Sequence, residues 1–217
     1  MDKKNKIKAV YLIAAAVTFI YVFIRAFNMD ITYDEAWTIT DFASLDVWGI
    51  ITYEPCDANN HMINTLLIKL FFLSGSDSLF VARLPNVLAC ILYIYFTYKI
   101  VNKHLSPVMA LGCYLLLLLN PFVLDFFSIA RGYGLSMGFL IASLYYMISY
   151  VNEHKTSQVL WTIAFGILTV LSNFSTLNYW LVFCLVINLI ALFNKGLNFK
   201  RTFFLTFSGS VILALIV

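Results

Sequence analysis

Seven stretches of this chain, residues 9–27, 80–98, 108–123, 133–151, 159–171, 179–193 and 203–217, are almost wholly apolar, and they decide the solvent in which it folds. A helix needs roughly 20 apolar residues to cross the hydrocarbon core of a bilayer. Lipid offers no partner for an unpaired backbone N–H or C=O, so a continuous apolar run satisfies itself there only as a helix. Composition agrees: 62% of residues are hydrophobic and 12% are charged, against about a quarter charged in soluble domains. The expectation is an all-α fold, a polytopic transmembrane helical bundle of about seven spans in which residues 1–217 form a single transmembrane domain. The last run reaches the final residue without a polar flank, as expected of the N-terminal portion of a longer protein.

Charge placement orients the bundle. Met1-Asp2-Lys3-Lys4-Asn5-Lys6-Ile7-Lys8 has the charge of a signal-peptide n-region. The apolar run behind it is too long and has no small-residue cleavage site, so it reads as a retained first span. With the N-terminus cytoplasmic, the cytoplasmic segments hold Lys3, Lys4, Lys6, Lys8, Lys99, Lys103, Lys155, Lys195, Lys200 and Arg201, ten of the 14 basic residues. The opposite segments hold Asp30, Asp34, Glu35, Asp41, Asp46, Glu54, Asp57, Asp77 and Asp125, nine of the 11 acids. The positive-inside rule predicts this asymmetry, which implies a multi-pass protein of the plasma (bacterial inner) membrane in contact with membrane lipids. Basic residues form no stripe away from the loop ends, which argues against a nucleic-acid partner. Four cysteines lack metal-ligand or redox spacing.

Residues 28–79 then form one long external loop. Thr32-Tyr33-Asp34-Glu35 has the spacing of a capping box and predicts a short helix from Tyr33. Residues 61–73 are apolar at Met62, Ile63, Leu66, Leu67, Leu70 and Phe71, with Asn64, Thr65 and Lys69 between them. That spacing predicts an amphipathic juxtamembrane helix, too short to span and lying in the interface.

Three places could carry chemistry, and each has a plainer reading. Asp34-Glu35, just past the first span, could supply a general base; taken alone, the pair reads as a helix cap and first-turn acid. Ala58-Asn59-Asn60-His61-Met62-Ile63-Asn64-Thr65 puts three amides and a histidine at the start of the interfacial helix, where free backbone N–H groups and His61 could meet a phosphate or a metal. The alternative is ordinary capping by Asn60 beside a solvated histidine. Asp125 and Arg131-Gly132-Tyr133-Gly134 follow the third span, and a guanidinium there suits bidentate phosphate recognition. Snorkelling to headgroups is the alternative, and it fits Arg25 and Arg83 better than Arg131.

Taken in order, these segments resemble the GT-C superfamily of integral membrane glycosyltransferases, in the branch of protein O-mannosyltransferases and the bacterial aminoarabinose transferases of lipid A. The resemblance is carried by a short tail, one span and a long external loop opening on Tyr33-Asp34-Glu35-Ala36-Trp37. Asn60-His61, Arg83-Leu84-Pro85 and Arg131-Gly132-Tyr133 follow in that order. It implies inverting transfer of a sugar from a polyprenyl-phosphate donor to an acceptor lipid, glycan or protein on the outer face. It makes Asp34 the catalytic base and Glu35 its neighbour in the site. Asn60, His61, Asp125, Arg131 and Tyr133 would bind substrate, and an auxiliary divalent metal is compatible with the family. A transporter or flippase of lipid-linked or small substrates is the alternative. It expects ionisable residues near the bilayer midplane, where these runs have almost none. A catalytically silent scaffold of the same fold is a third reading.

Overall fold

A computed structural model of the chain describes residues 3–54, 56–57 and 59–216. Met1, Asp2, Ala58 and Val217, which figure in the sequence reading, lie outside the described residues. The described residues are helical and contain no strand, so the fold is the expected all-α polytopic bundle. Helix α1 (Lys3–Asn28) leads into a cap region of α2 (Tyr33–Trp37), a π-helical turn (Thr38–Phe42), α3 (Val47–Ile51) and α4 (Met62–Phe72). The remainder is α5 (Leu79–His104), α6 (Pro107–Leu118), α7 (Pro121–Phe127), α8 (Gly132–Glu153), α9 (Thr156–Ser172), α10 (Leu177–Phe193) and α11 (Phe199–Ile216).

Five helices are long and apolar enough to cross a membrane, or six when α6 and α7 are taken as one bent span. The fold is thus that of an integral, multi-pass membrane protein. The run 108–123, expected as one span, is broken: α6 and α7 meet at 56°. Asn120 caps α7 by accepting from the Phe122 N–H at 3.1 Å. Pro121 follows at the first helical position, where its missing N–H costs nothing. A proline there cannot continue the helix before it, so the run splits. Helix α9 has 17 residues, the lower limit for a span.

Contacts between helix ends show that α9 nevertheless crosses the bundle. At one end Lys103 pairs with Glu153 at 2.9 Å, Arg201 donates to the Thr156 hydroxyl at 2.9 Å, and Gly196 lies against the His154 ring. At the other end Arg25 pairs with Asp125 at 2.9 Å, and Gly132 abuts the Ser172 carbonyl. Helix α8 therefore runs from the second end to the first, and α9 returns. The first end carries Lys8, Lys99, Lys103, Lys155 and Arg201; the second carries the acid-rich cap.

Two apolar clusters fill the bundle. One joins α1 and α5–α8 through Val22, Cys90, Tyr93, Tyr114, Phe127 and Leu135. The other joins the cap to α8–α11 through Ile50, Met62, Ile163, Trp180 and Ile187. Close backbone approach replaces the hydrophobic drive that lipid cannot supply: a Cβ at Gly138 of α8 would lie 2.9 Å from the Ala89 carbonyl of α5. Helix α4 forms where its spacing predicts, and its polar positions turn toward the bundle. It packs against α5, α8 and α9, and Asn64 and Thr65 are among its buried residues while Leu70 and Leu73 are exposed.

Candidate active site

A buried ion pair ties the start of the cap to the bundle. Thr32 forms the expected capping box with Glu35, but the Glu35 carboxylate does more than cap. It accepts from the Thr32 N–H at 3.0 Å and hydroxyl at 3.1 Å, and from the Ala130 N–H at 2.7 Å. It also accepts from Arg83 Nε at 2.7 Å and Nη2 at 2.8 Å. Both side chains are 0% exposed. The expectation that Arg83 snorkels to headgroups is corrected: its guanidinium points into the protein. Beyond Glu35, it donates to the carbonyls of Ala26 (2.9 Å), Met29 (2.7 Å) and Asp30 (2.9 Å). A guanidinium has five N–H donors, and all five are used. Those carbonyls belong to or follow the last turn of α1, whose C-terminal end leaves acceptors unpaired and favours a cation. Burial alone would raise the Glu35 carboxyl; hydrogen bonds from Arg83, Ala130 and Thr32 outweigh it and hold the group below its ordinary value.

The pair aims its neighbour outward. Asp34 follows directly from Tyr33 in the first turn of α2, and its side chain is 55% exposed, 3.3 Å from Arg131 Nη1. Arg131 is almost fully buried. It precedes α8 in extended conformation, and both flanks fix it. On one side the Ala130 N–H is bound by Glu35, and its carbonyl accepts from Asn64 Nδ2 at 3.1 Å. On the other, a Cβ at Gly132 would collide with the Ser172 carbonyl and lie 2.8 Å from His61 Cβ, so only glycine fits. Asn86 accepts from the Leu135 N–H at 2.9 Å and donates to Asn64 at 2.7 Å, which ties the start of α8 to α4 and α5.

Arg131 Nη1 also donates to Asn59 Oδ1, and its guanidinium lies 5.4 Å from the Tyr133 ring centre, a cation–π contact. Tyr133 stacks on Phe126 at 4.7 Å and meets the His61 ring edge-on at 5.2 Å. His61 is buried, not solvated. Burial, with the Arg131 charge second, pushes its pKa down to about 4, so it is neutral at pH 7. Arg131 Nε and His61 Nε2 are both buried without a hydrogen-bond partner among the described residues. Asn60 turns inward instead of capping α4, donating to the Ile50 carbonyl at 3.1 Å and accepting from Thr65 at 3.2 Å.

The structure thus brings together Asp34, Arg131, His61 and Tyr133, with Asn59 added. Asp125 pairs with Arg25 instead; Asn60 and Glu35 are spent on internal bonds. Asn59 and Asn64 belong to the amide-rich stretch that opens α4, whereas Asn86 lies outside every candidate segment. For Asn86 a signal existed, since an amide inside an apolar run must find a partner there. A divalent metal does not fit this group. Among the described residues no three His, Cys, Asp or Glu side chains converge, and the cationic Arg131 lies against the carboxylate a metal would need. Beside Asp34, Tyr33, Ala36, Trp37, Thr40 and Asp41 line an open groove of about 350 Å³. Comparison with family models, curated proteins and solved structures returns no match.

Proposed function

We propose that the chain belongs to a GT-C-like glycosyltransferase that moves a sugar from a polyprenyl-phosphate donor to an acceptor outside the cytoplasm. The observation that carries the reading is the Asp34–Arg131 pair. An exposed carboxylate sits against a buried guanidinium, on a segment immobilised by Glu35 and Arg83. The motif order that resembles the superfamily supports the same reading. In this reading the cap lies outside the plasma membrane with the N-terminus cytoplasmic, and the charge asymmetry supports that orientation.

In this reaction the acceptor oxygen attacks the anomeric carbon while Asp34 takes its proton. The bond from that carbon to the phosphate oxygen breaks, and its electron pair leaves with the polyprenyl phosphate. Arg131 offsets the charge gathering on that leaving group, aided by the neutral His61 as a hydrogen-bond donor. Glu35 acts as a positioning residue rather than a base, because its oxygens are already occupied. The transporter alternative loses ground at Arg83, the one charged side chain wholly buried in a spanning helix among the described residues. Its donors are saturated and none is left for a cargo.

The test is reconstitution of the full-length protein in liposomes with a labelled polyprenyl-phosphate sugar and a panel of lipid, glycan and peptide acceptors. Release of polyprenyl phosphate with label on one acceptor class supports the proposal. Label crossing the bilayer with the donor intact would establish transport instead.

A further inference from the structure

A second cluster, at the basic end of the bundle, takes no part in the reaction above. Where α1, α5 and α6 meet, a crevice of about 410 Å³ opens between the helices. Its polar lining is Lys8 with Tyr11, Tyr95, Tyr98 and Tyr114, and its apolar wall includes Leu12, Ala15 and Ile91. Three of the tyrosine rings meet edge-on, Tyr11 lying 5.1 Å from Tyr98 and 5.0 Å from Tyr114. Tyr11 is 5% exposed, and its hydroxyl is buried with no hydrogen-bond partner among the described residues. A buried hydroxyl normally finds one, because leaving it unpaired costs free energy.

We propose that this crevice holds an anionic glycerophospholipid from the leaflet at the basic end, its phosphate between Lys8 and the Tyr11 hydroxyl. Three features select that occupant. Lys8 stands at the start of the first spanning helix, and Leu12 and Ala15 follow one and two turns deeper, so a headgroup and an acyl chain each have a matching wall. Lys99, 5.9 Å from the Tyr95 ring centre, adds a second cation at this end. Lys103, Lys155 and Arg201 lie at the same end of the fold, and such a field favours a headgroup without a compensating cation. The volume is in the range of small-molecule sites.

The test is the melting temperature of the full-length protein in uncharged detergent. Phosphatidylglycerol, phosphatidylcholine, a polyprenyl phosphate and inorganic phosphate are added separately to wild type, Tyr11→Phe and Lys8→Gln. Phosphatidylglycerol is expected to raise the wild-type melting temperature by roughly 5 °C, with the other three adding little. Both variants are expected to fold and to lose that rise; Tyr11→Phe removes only a hydroxyl that no described residue uses. Equal rises with phosphatidylglycerol and phosphatidylcholine would mean unspecific lipid packing and overturn the proposal. A rise kept in either variant would overturn it, as would a response to the polyprenyl phosphate alone. The outcome is independent of whether Asp34 is a base.

Discussion

Removing Glu35 should loosen the start of the cap and lower the stability of the fold. The Glu35→Ala substitution leaves Arg83 buried with no anion and deprives the Ala130 and Thr32 N–H groups of their acceptor. Breaking a buried pair by removing one partner typically costs about 3–5 kcal/mol, far more than losing a surface pair. For 217 residues, each 1 kcal/mol moves the melting temperature by about 2–4 °C, so a fall of roughly 6–20 °C is expected. The assay is thermal unfolding in detergent, followed through the intrinsic fluorescence of the four tryptophans. The paired substitution Glu35→Leu with Arg83→Met removes both charges together and should recover a large part of the loss. Single variants within about 2 °C of wild type, or a double variant equal to the sum of the singles, would refute the clamp.

Gly132→Ala should destabilise by about 1–3 kcal/mol or more through overpacking against Ser172 and His61. Gly112→Ala, with nothing within 4 Å of the added Cβ, should be neutral or stabilise by about 0.5–1 kcal/mol; equal thermal shifts in the two would contradict the packing. His61 titrates near 4 when folded and near 6.5 when unfolded, so the unfolded chain binds the extra proton between those values. Stability should therefore be full above pH 6.5 and fall by up to roughly 3 kcal/mol as pH drops toward 4. Melting curves of His61→Gln should be flatter across that window. Glu35, held below the ordinary carboxylate value, adds a further loss at still lower pH as it becomes protonated. Arg131→Lys keeps the charge but loses the planar fork, and should raise the donor KM well beyond Arg25→Lys; the same KM change in both would return Arg131 to a headgroup contact.

Features that depend on neighbouring residues were legible in the sequence, and those that depend on helix packing were not. The spans stood out because lipid admits only long apolar helices. The Thr32–Glu35 capping box stood out because its partners are three residues apart. Nothing local joins Glu35 to Arg83, 48 positions on. An arginine near the end of a span reads the same whether it reaches outward to headgroups or inward to a carboxylate, and only the placement of α5 against the end of α1 decides. The polar positions of α4 were illegible for a related reason: Asn64 looks solvated until Asn86 and Ala130 are seen to face it, and Thr65 until Asn60 is. Asp34 could be separated from Glu35 only once the buried pair had claimed the second carboxylate.

The most direct test of the account compares Asp34→Asn with wild type in the reconstituted transfer assay, with the melting temperature of each as control. The substitution removes the proton acceptor but keeps size and shape, and the side chain is 55% exposed. Transfer should fall by about 10²- to 10⁴-fold while the melting temperature stays within about 2 °C. Wild-type transfer by a folded Asp34→Asn protein would contradict the assignment of Asp34 as the base.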